Sequence, residues 1–387
     1  MRTLLTSFAA SGLLAAIAMA QPAPRYRITD LGTLGGTYSY AYGINNWGQV
    51  SGGAATRTET DGISQTAFLW YGGRIVNLGT LGGPQCPTCS SEAGGPNVSG
   101  ASPLVSETSR PDPLGEDFCG FGTHSQCLAA VWKDGAMTAL PTLGGNNGQA
   151  YWINNPGQVV GFAETGTRDA TCAAATPFQV FRFKPAVWGP NGEVNQLPPL
   201  PGDTVGFAWG INDNGETIGV SGLCGNTSVP PVSPFSLEPH AVLWDKNGVP
   251  INLGSLGGTF NVPAAINNRG DVAGASQSSL DGNIHAFLWS RSTGMQDLGL
   301  FPGSVVTAAP CCNTINNSGQ IALNSVDAMG NMKALLWQNG KMYDLNTLIP
   351  AGSPWLLQSS SSINDAGEIA GQGLIHGEVH AFLASPI

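Results

Sequence analysis

Three histidines, His240, His285 and His380, are the first candidates for metal binding or general-base catalysis. Each one stands directly before the alanine of a repeated strand of the type Ala-x-Leu-Trp, so the three positions are equivalent copies within a repeat. Equivalent positions of a repeat are kept apart by the fold and cannot converge on one ion. We therefore expect structural hydrogen bonds from these histidines, and the sequence predicts no catalytic residue, no cofactor and no metal site.

The eight cysteines are the second candidate set for chemistry. Cys86 and Cys89 have the C-x-x-C spacing of thiol redox motifs, and with Cys119 and Cys127 they form a possible zinc set. The sequence lacks the strand-to-helix context of a redox motif, and an exported protein favours disulfides. We predict pairs between Cys119 and Cys127 and between Cys172 and Cys224, count Cys86 and Cys89 as further disulfide candidates, and assign no role to Cys311-Cys312.

Carboxylates and aromatic residues give weaker signals. No pair of carboxylates recurs at a spacing that suggests a glycosidase. The Asn-rich turns carry too few carboxylates for a tight calcium site. Five aromatic residues are candidates for stacking on sugars, although we expect them to serve in packing between repeats: Tyr38, Tyr40, Tyr42, Phe207 and Trp209.

A three-part phrase organises the chain into seven units. Its first part resembles Asp-Leu-Gly, its second is Ile-Asn-Asn/Asp-x-Gly, and its third is the Ala-x-Leu-Trp strand. The phrases are exemplified by Asp30-Leu31-Gly32, Ile44-Asn45-Asn46-Trp47-Gly48 and His285-Ala286-Phe287-Leu288-Trp289. The second unit is degenerate, because Gly95-Pro96-Asn97-Val98-Ser99-Gly100 has lost the Asn-Asn turn. Self-similarity at this period predicts one supersecondary motif stacked on copies of itself.

Turn signals divide each unit into four strands, which we label A, B, C and D. The Asn-Asn turn lies between A and B, and an Asn-Gly or Asp-Gly turn links C to D as in a two-residue hairpin. The chain starts with a D strand and stops after the C strand of the last unit. The sequence therefore predicts an all-β fold, a seven-bladed β-propeller of four-stranded antiparallel blades, in which the N-terminal strand Tyr26 to Gly32 pairs with His380 to Leu383 and closes the last blade.

These three linked motifs resemble the bacterial HAF-repeat extracellular proteins, which are named for the His-Ala-Phe triplet. The resemblance covers essentially the whole chain after residue 20. It implies export and a repeat fold, and it carries no activity with it.

Residues 1–20 have the form of a secretory signal peptide, and residues 21–387 form a single predicted domain. Arg2 precedes a short apolar run, and Ala18-Met19-Ala20 is a small-residue cleavage site. Without Arg2, 14 basic residues against 25 acidic residues give the mature chain a net charge of −11. This balance argues against nucleic acid or an anionic membrane as partner. We expect an exported monomer, extracellular or periplasmic, that is not inserted in a membrane.

The unequal lengths of the B–C loops are the signal that we connect with function. They contain 29 residues between Gly100 and Ala130, 24 between Gly161 and Ala186, and 21 between Gly219 and Ala241. We call these three loops the loop wall; five of their phenylalanines are the candidate binding residues, Phe118, Phe121, Phe178, Phe181 and Phe235. Long loops on a rigid scaffold often bind ligands. The sequence therefore favours a binding scaffold for an extracellular protein or glycan; a polysaccharide hydrolase or lyase and a structural envelope component are the alternatives.

Overall fold

The computed structural model describes residues 23–56, 65–175, 179–227, 239–310 and 313–387. The predicted signal peptide, Cys311-Cys312, Phe178 and Phe235 lie outside the described residues. The described chain consists mainly of strands, with two short helices, α1 (Ala170–Ala175) and α2 (Cys224–Thr227), and 3₁₀ turns at Gly83–Gln85 and Leu345–Thr347. Within these ranges, none of the helices is long and apolar enough to cross a membrane.

The strands follow the order that the repeats predict. The first unit contains β2 (Gly35–Ile44), β3 (Val50–Thr56), β4 (Thr66–Tyr71) and β5 (Arg74–Gly79). The second contains β6 (Ser91–Ala93), β7 (Ser102–Pro111), β8 (Ser125–Lys133) and β9 (Ala136–Ala139). The third contains β10 (Gly144–Ile153), β11 (Val159–Arg168), β12 (Phe181–Trp188) and β13 (Val194–Gln196). The fourth contains β14 (Val205–Ile211), β15 (Thr217–Gly222), β16 (His240–Trp244) and β17 (Pro250–Asn252).

The later units have the same plan with shorter loops. The predicted loop after Gly100 is itself too long, because Gly100 precedes β7 and only residues 112–124 separate β7 from β8. The fifth unit contains β18 (Gly257–Ile266), β19 (Val272–Ser278), β20 (Ile284–Ser290) and β21 (Gly294–Gly299). The sixth contains β22 (Ser304–Ala308), β23 (Ile321–Asp327), β24 (Met332–Gln338) and β25 (Lys341–Asp344). The last contains β26 (Trp355–Ile363), β27 (Ile369–Ile375) and β28 (Glu378–Pro386).

Strand pairing turns each unit into an antiparallel meander. Three sheets have four strands, and two have eight because a single parallel residue pair joins neighbouring meanders, Tyr38 with Val379 in one sheet and Ile284 with Val306 in the other. The remaining strand, β1 (Tyr26–Asp30), pairs antiparallel with β28, so that Asp30 lies opposite Phe382. The N-terminal strand thus has the partner that the motif order predicts.

The hydrophobic core is divided among the contacts between successive units. One cluster, for example, joins Leu104 and Ala130 of the second unit to Ala67 and Leu69 of the first. Another joins Tyr26 and Phe382 to Leu336 and Leu345 of the sixth unit. Because each sheet buries side chains against both neighbours, the chain needs no single large core.

The Asn-Asn turns link the units to one another. The first Asn of each turn accepts backbone N–H bonds within its own turn, as Asn45 does from Trp47 and Gln49 at 3.0 Å. Its side-chain amide donates to the backbone carbonyl of the equivalent Asn in the next unit. These donations run through Asn45, Asn97, Asn154, Asn212, Asn267, Asn316 and Asn364 and return to Asn45, with N–O distances from 2.9 to 3.2 Å.

The degenerate turn of the second unit keeps its place in this series. Asn97 donates to Asn154 and accepts from the backbone N–H groups of Ser99 and Ala101. The second Asn is the residue that this turn lacks, because Val98 occupies its position. The interpretation that this unit has lost the Asn-Asn turn is therefore wrong, since Asn97 keeps both the contacts within its turn and the link to the next unit.

Candidate functional site

A β-bulge occurs at the same place in five of the A strands. Pairing skips one residue three positions before the first Asn of the turn, as at Tyr42 between the paired residues Ala41 and Gly43. The skipped residues are Tyr42, Tyr151, Trp209, Ala264 and Ser361. A bulge redirects the side chain that it contains. The same bulge therefore presents large aromatic rings in the first, third and fourth units, and small residues in the fifth and last units.

The three aromatic bulge residues line a cavity of about 330 Å³. Its other walls come from the A strands of the second, third and fourth units, from strands beside them and from the B–C loop of the second unit. The lining residues include Glu92, Gln149, Phe162, Phe183, Phe207, Asp117 and Phe118. Sites for small molecules have volumes of roughly 300 to 1,000 Å³ and mostly apolar walls with a few polar groups.

The aromatic rings of the cavity contact one another in a continuous series. The ring centroids of Tyr151 and Trp209 are 4.6 Å apart, and Phe207 meets Trp209 edge-on at 4.8 Å. Phe162 lies 5.9 Å from Tyr151 and 5.2 Å from Phe118. The edge-on contact is an arrangement that aromatic pairs prefer, and the series as a whole fixes the ring positions by mutual packing.

The loop wall supplies part of this enclosure. Gln149 of β10 donates from its side-chain amide to the backbone carbonyl of Phe118 at 2.9 Å and accepts from the Tyr151 hydroxyl at 2.6 Å. A disulfide joins Cys119 to Cys127 at the start of β8, next to the cavity residue Phe118. The loop that carries Phe118 is thus attached both to the third unit and to its own following strand.

Glu92 is the polar centre of the cavity. The Gln65 side-chain amide donates to its carboxylate at 2.7 Å, and Tyr42 also hydrogen-bonds to it. Burial raises the pKa of Glu92 above its usual value, although these two hydrogen bonds act in the opposite direction. The described lining residues include the carboxylates Glu92 and Asp117 but no Lys, Arg or His.

Further carboxylates are buried in the loop wall behind the cavity. Glu164 accepts from the backbone N–H groups of Asn146 and Asn147 at 3.1 and 3.0 Å and from the amide of the lining residue Gln179 at 2.8 Å. Burial, followed by repulsion from Glu116, raises the pKa of Glu164 to about 8. Burial likewise raises the pKa of Glu116 to about 7, and one of its carboxyl oxygens has no hydrogen-bond partner.

Comparison with solved structures decides the class of fold. Puromycin hydrolase superposes with a TM-score of 0.55 at 12% identity, over 91% of this chain and 52% of that one. Virginiamycin B lyase from Staphylococcus aureus superposes with a TM-score of 0.52 at 12% identity, over 94% of this chain and 100% of the lyase. Both neighbours are β-propeller proteins.

The fold is a β-propeller. The chain spans about half the length of puromycin hydrolase. No protein-family model matches the sequence, and comparison with curated proteins finds no match. At 12% identity the structural likeness concerns the fold alone.

Among the described residues, six cysteines form three disulfides, and two of these are the pairs that the sequence predicts. Cys119 is bonded to Cys127, and Cys172 to Cys224, which joins the loops of the third and fourth units. Cys86 is bonded to Cys89. Among the described residues, no group of three or more His, Cys, Asp and Glu is arranged to hold a metal ion.

The predicted wall phenylalanines have separate environments. Phe118 lines the cavity, whereas Phe181 lies beneath the guanidinium of Arg168, whose central carbon is 5.8 Å from the ring centroid. Phe118, Phe121 and Phe181 are all partly buried, so they do not form a fully exposed patch. Of these three, Phe118 alone lines the cavity.

The three repeated histidines make the hydrogen bonds that the sequence analysis expects. His285 and His380 each place Nδ1 within 3.0 Å of the aspartate of a paired D strand, Asp297 and Asp30. In the fourth unit, Asn252 occupies the equivalent D-strand position, and His240 bonds Asp203 instead at 2.9 Å. Burial acts to lower the pKa of His285, but its hydrogen bonds to Asp297 and Asp281 outweigh burial and raise the pKa.

Sequence reasoning missed most of the cavity. It assigned Tyr42, Phe207 and Trp209 mainly to packing between repeats, and it did not single out Glu92, Gln149, Phe162 or Phe183. One signal was present in the repeats. The position two residues before the isoleucine is aromatic at Tyr42, Tyr151 and Trp209 but small at Ala264 and Ser361.

Proposed function

We propose that this protein is an exported, seven-bladed β-propeller of the HAF-repeat type that binds a small ligand, or a protruding group of a larger one, in the aromatic cavity. The observation that carries the proposal is the enclosure of a cavity by Tyr42, Tyr151 and Trp209 on one side and the disulfide-linked loop around Phe118 on the other. Rigid aromatic walls with a few polar groups are typical of binding sites. An extracellular glycan or protein would supply such a group.

The seven-unit ring is supported by two independent sets of contacts. The Asn donations pass through seven turns and return to Asn45. The N-terminal strand β1 pairs with the C-terminal strand β28. A closed ring would hold the bulge residues in fixed positions, because no blade could move without breaking contacts with both neighbours.

Export is supported by the sequence of residues 1–20 and by the three disulfides. Disulfides persist in oxidising compartments such as the periplasm and the extracellular medium. The proposal therefore places the ligand outside the cytoplasm.

The test is a ligand screen with the purified chain from Gln21 to Ile387. Glycan fragments, peptides and small organic cations and anions are compared by calorimetry for the unmodified chain and for Trp209→Ala. The matched control is Trp47→Ala, because Trp47 is 74% exposed in an Asn turn and is not part of the cavity. We expect at least one ligand whose affinity falls tenfold or more in Trp209→Ala and stays within twofold in Trp47→Ala. If every ligand that binds keeps the same affinity in Trp209→Ala, binding in the cavity is refuted.

A hydrolase or lyase acting on polysaccharide is the second candidate, because Glu92 and Asp117 line the same cavity and burial raises the pKa of Glu92. The raised pKa makes protonation of this carboxyl easier, and a protonated carboxyl group can act as a general acid. Enzymatic turnover would appear as new reducing ends or unsaturated products from a polysaccharide, and it would disappear in Glu92→Gln.

A further inference from the structure

The charges around the aromatic cavity indicate what it binds. The cavity walls described above contain two carboxylates and no cationic side chain. A negative potential in an enclosed, low-dielectric space favours a positively charged occupant.

The aromatic rings of the cavity also favour a positively charged ligand. The face of an aromatic ring is electron-rich and attracts a cation placed within about 6 Å of its centre. Tyr42 lines the cavity together with Tyr151, Trp209, Phe207 and Phe162, and the last four rings contact one another in series. A bare ammonium ion would lose strong hydrogen bonds to water when it contacts these rings. An ammonium group fully substituted with alkyl carbons makes no such bonds and loses little.

Glu92 is the third feature of the cavity that favours a positively charged ligand. Its hydrogen bonds come from neutral groups, the amide of Gln65 and the hydroxyl of Tyr42, and among the described residues no cation would balance the charge of its ionised form. A buried carboxylate without a cationic partner is costly, and a bound cation would reduce that cost.

We propose that the cavity binds an organic ammonium ion, held against the faces of Tyr151 and Trp209 and paired with Glu92. This inference rests on the proposed function, since it names the class of ligand for the same cavity. It goes beyond a general apolar site because it assigns the carboxylate a direct role in recognition.

The experiment compares choline with 3,3-dimethyl-1-butanol, in which a carbon atom replaces the charged nitrogen. Ligand-observed NMR titration gives the dissociation constant of each probe for the unmodified chain, for Glu92→Gln and for the control Glu193→Gln, whose carboxylate is exposed. We expect the unmodified chain and the control to prefer choline by at least tenfold. In Glu92→Gln the preference should fall below threefold.

Three outcomes would overturn the inference: equal binding of the two probes, no choline binding at all, or a preference that survives in Glu92→Gln. They leave the proposed function to its own test, because a Trp209-dependent neutral ligand would still place binding in the cavity. Failure of every ligand to respond to Trp209→Ala would refute both. Thermal unfolding of each variant checks that loss of binding is not loss of folding.

Discussion

The series of Asn side chains predicts a specific loss of stability. Asn154 is only 3% exposed, and its amide donates to the backbone carbonyl of Asn212 at 3.1 Å and to the side chain of Gln158 at 2.9 Å. Its side-chain oxygen also accepts from the backbone N–H of Gln158 at 2.8 Å. Asn154→Ala removes these bonds and deprives the carbonyl of Asn212 of its donor from the neighbouring unit.

The expected size follows from the number of bonds and their burial. A hydrogen bond contributes a net of about 1 kcal/mol to folding, and a buried group left without a partner costs more. We therefore expect Asn154→Ala to lower the free energy of unfolding by about 3 to 4 kcal/mol. The measurement is urea unfolding followed by circular dichroism, with the free energy extrapolated linearly to zero urea.

Asn155 provides a matched control in the same turn. Its side chain makes two hydrogen bonds, to Asp213 at 2.9 Å and from the backbone of Val98 at 3.1 Å, but the residue is exposed. Water can replace these bonds, so Asn155→Ala should cost less than about 1 kcal/mol. Equal losses for the two variants would refute the reasoning, because burial would then make no difference.

Three further predictions concern closure, disulfides and pH. Deleting residues 21–33 should remove the partner of β28 and abolish cooperative unfolding; an unchanged melting temperature in a monomeric variant would contradict closure. Replacing Cys172 and Cys224 by serine should cost about 4 kcal/mol in urea unfolding, and more than replacing Cys119 and Cys127, because their separations are 52 and 8 residues. The raised pKa of Glu164, about 8, means that the folded protein holds a proton that the unfolded chain releases near pH 4.5. The free energy of unfolding should therefore fall by a few kcal/mol as pH rises from about 4.5 to about 8; a variant Glu164→Gln with the same pH profile would show that this carboxyl is not responsible.

The fold was readable from the sequence because its signals repeat. The partner of β1 followed from the surplus D strand, and the roles of His285 and His380 followed from their equivalent positions. Asn-Gly or Asp-Gly turns recur in four of the units, and alternating strands are local features that recur along the chain.

The cavity was not readable because it depends on the places where the units differ. A bulge changes the direction of one side chain, so strict alternation gives the wrong face for Tyr42 and Trp209. Glu92 lies in the shortest A strand, β6, in the unit whose motif is most degenerate. Glu116 and Glu164 belong to long loop and strand segments outside the repeated phrase, and only the fold brings them into electrostatic contact.

A crystal structure of the mature chain with a bound ligand from the screen tests the central claim most directly. We predict ligand density against the rings of Tyr151 and Trp209, beside the carboxylate of Glu92 and under the loop that carries Phe118. Ligand density on any other face, with the cavity filled only by ordered water, would contradict the account.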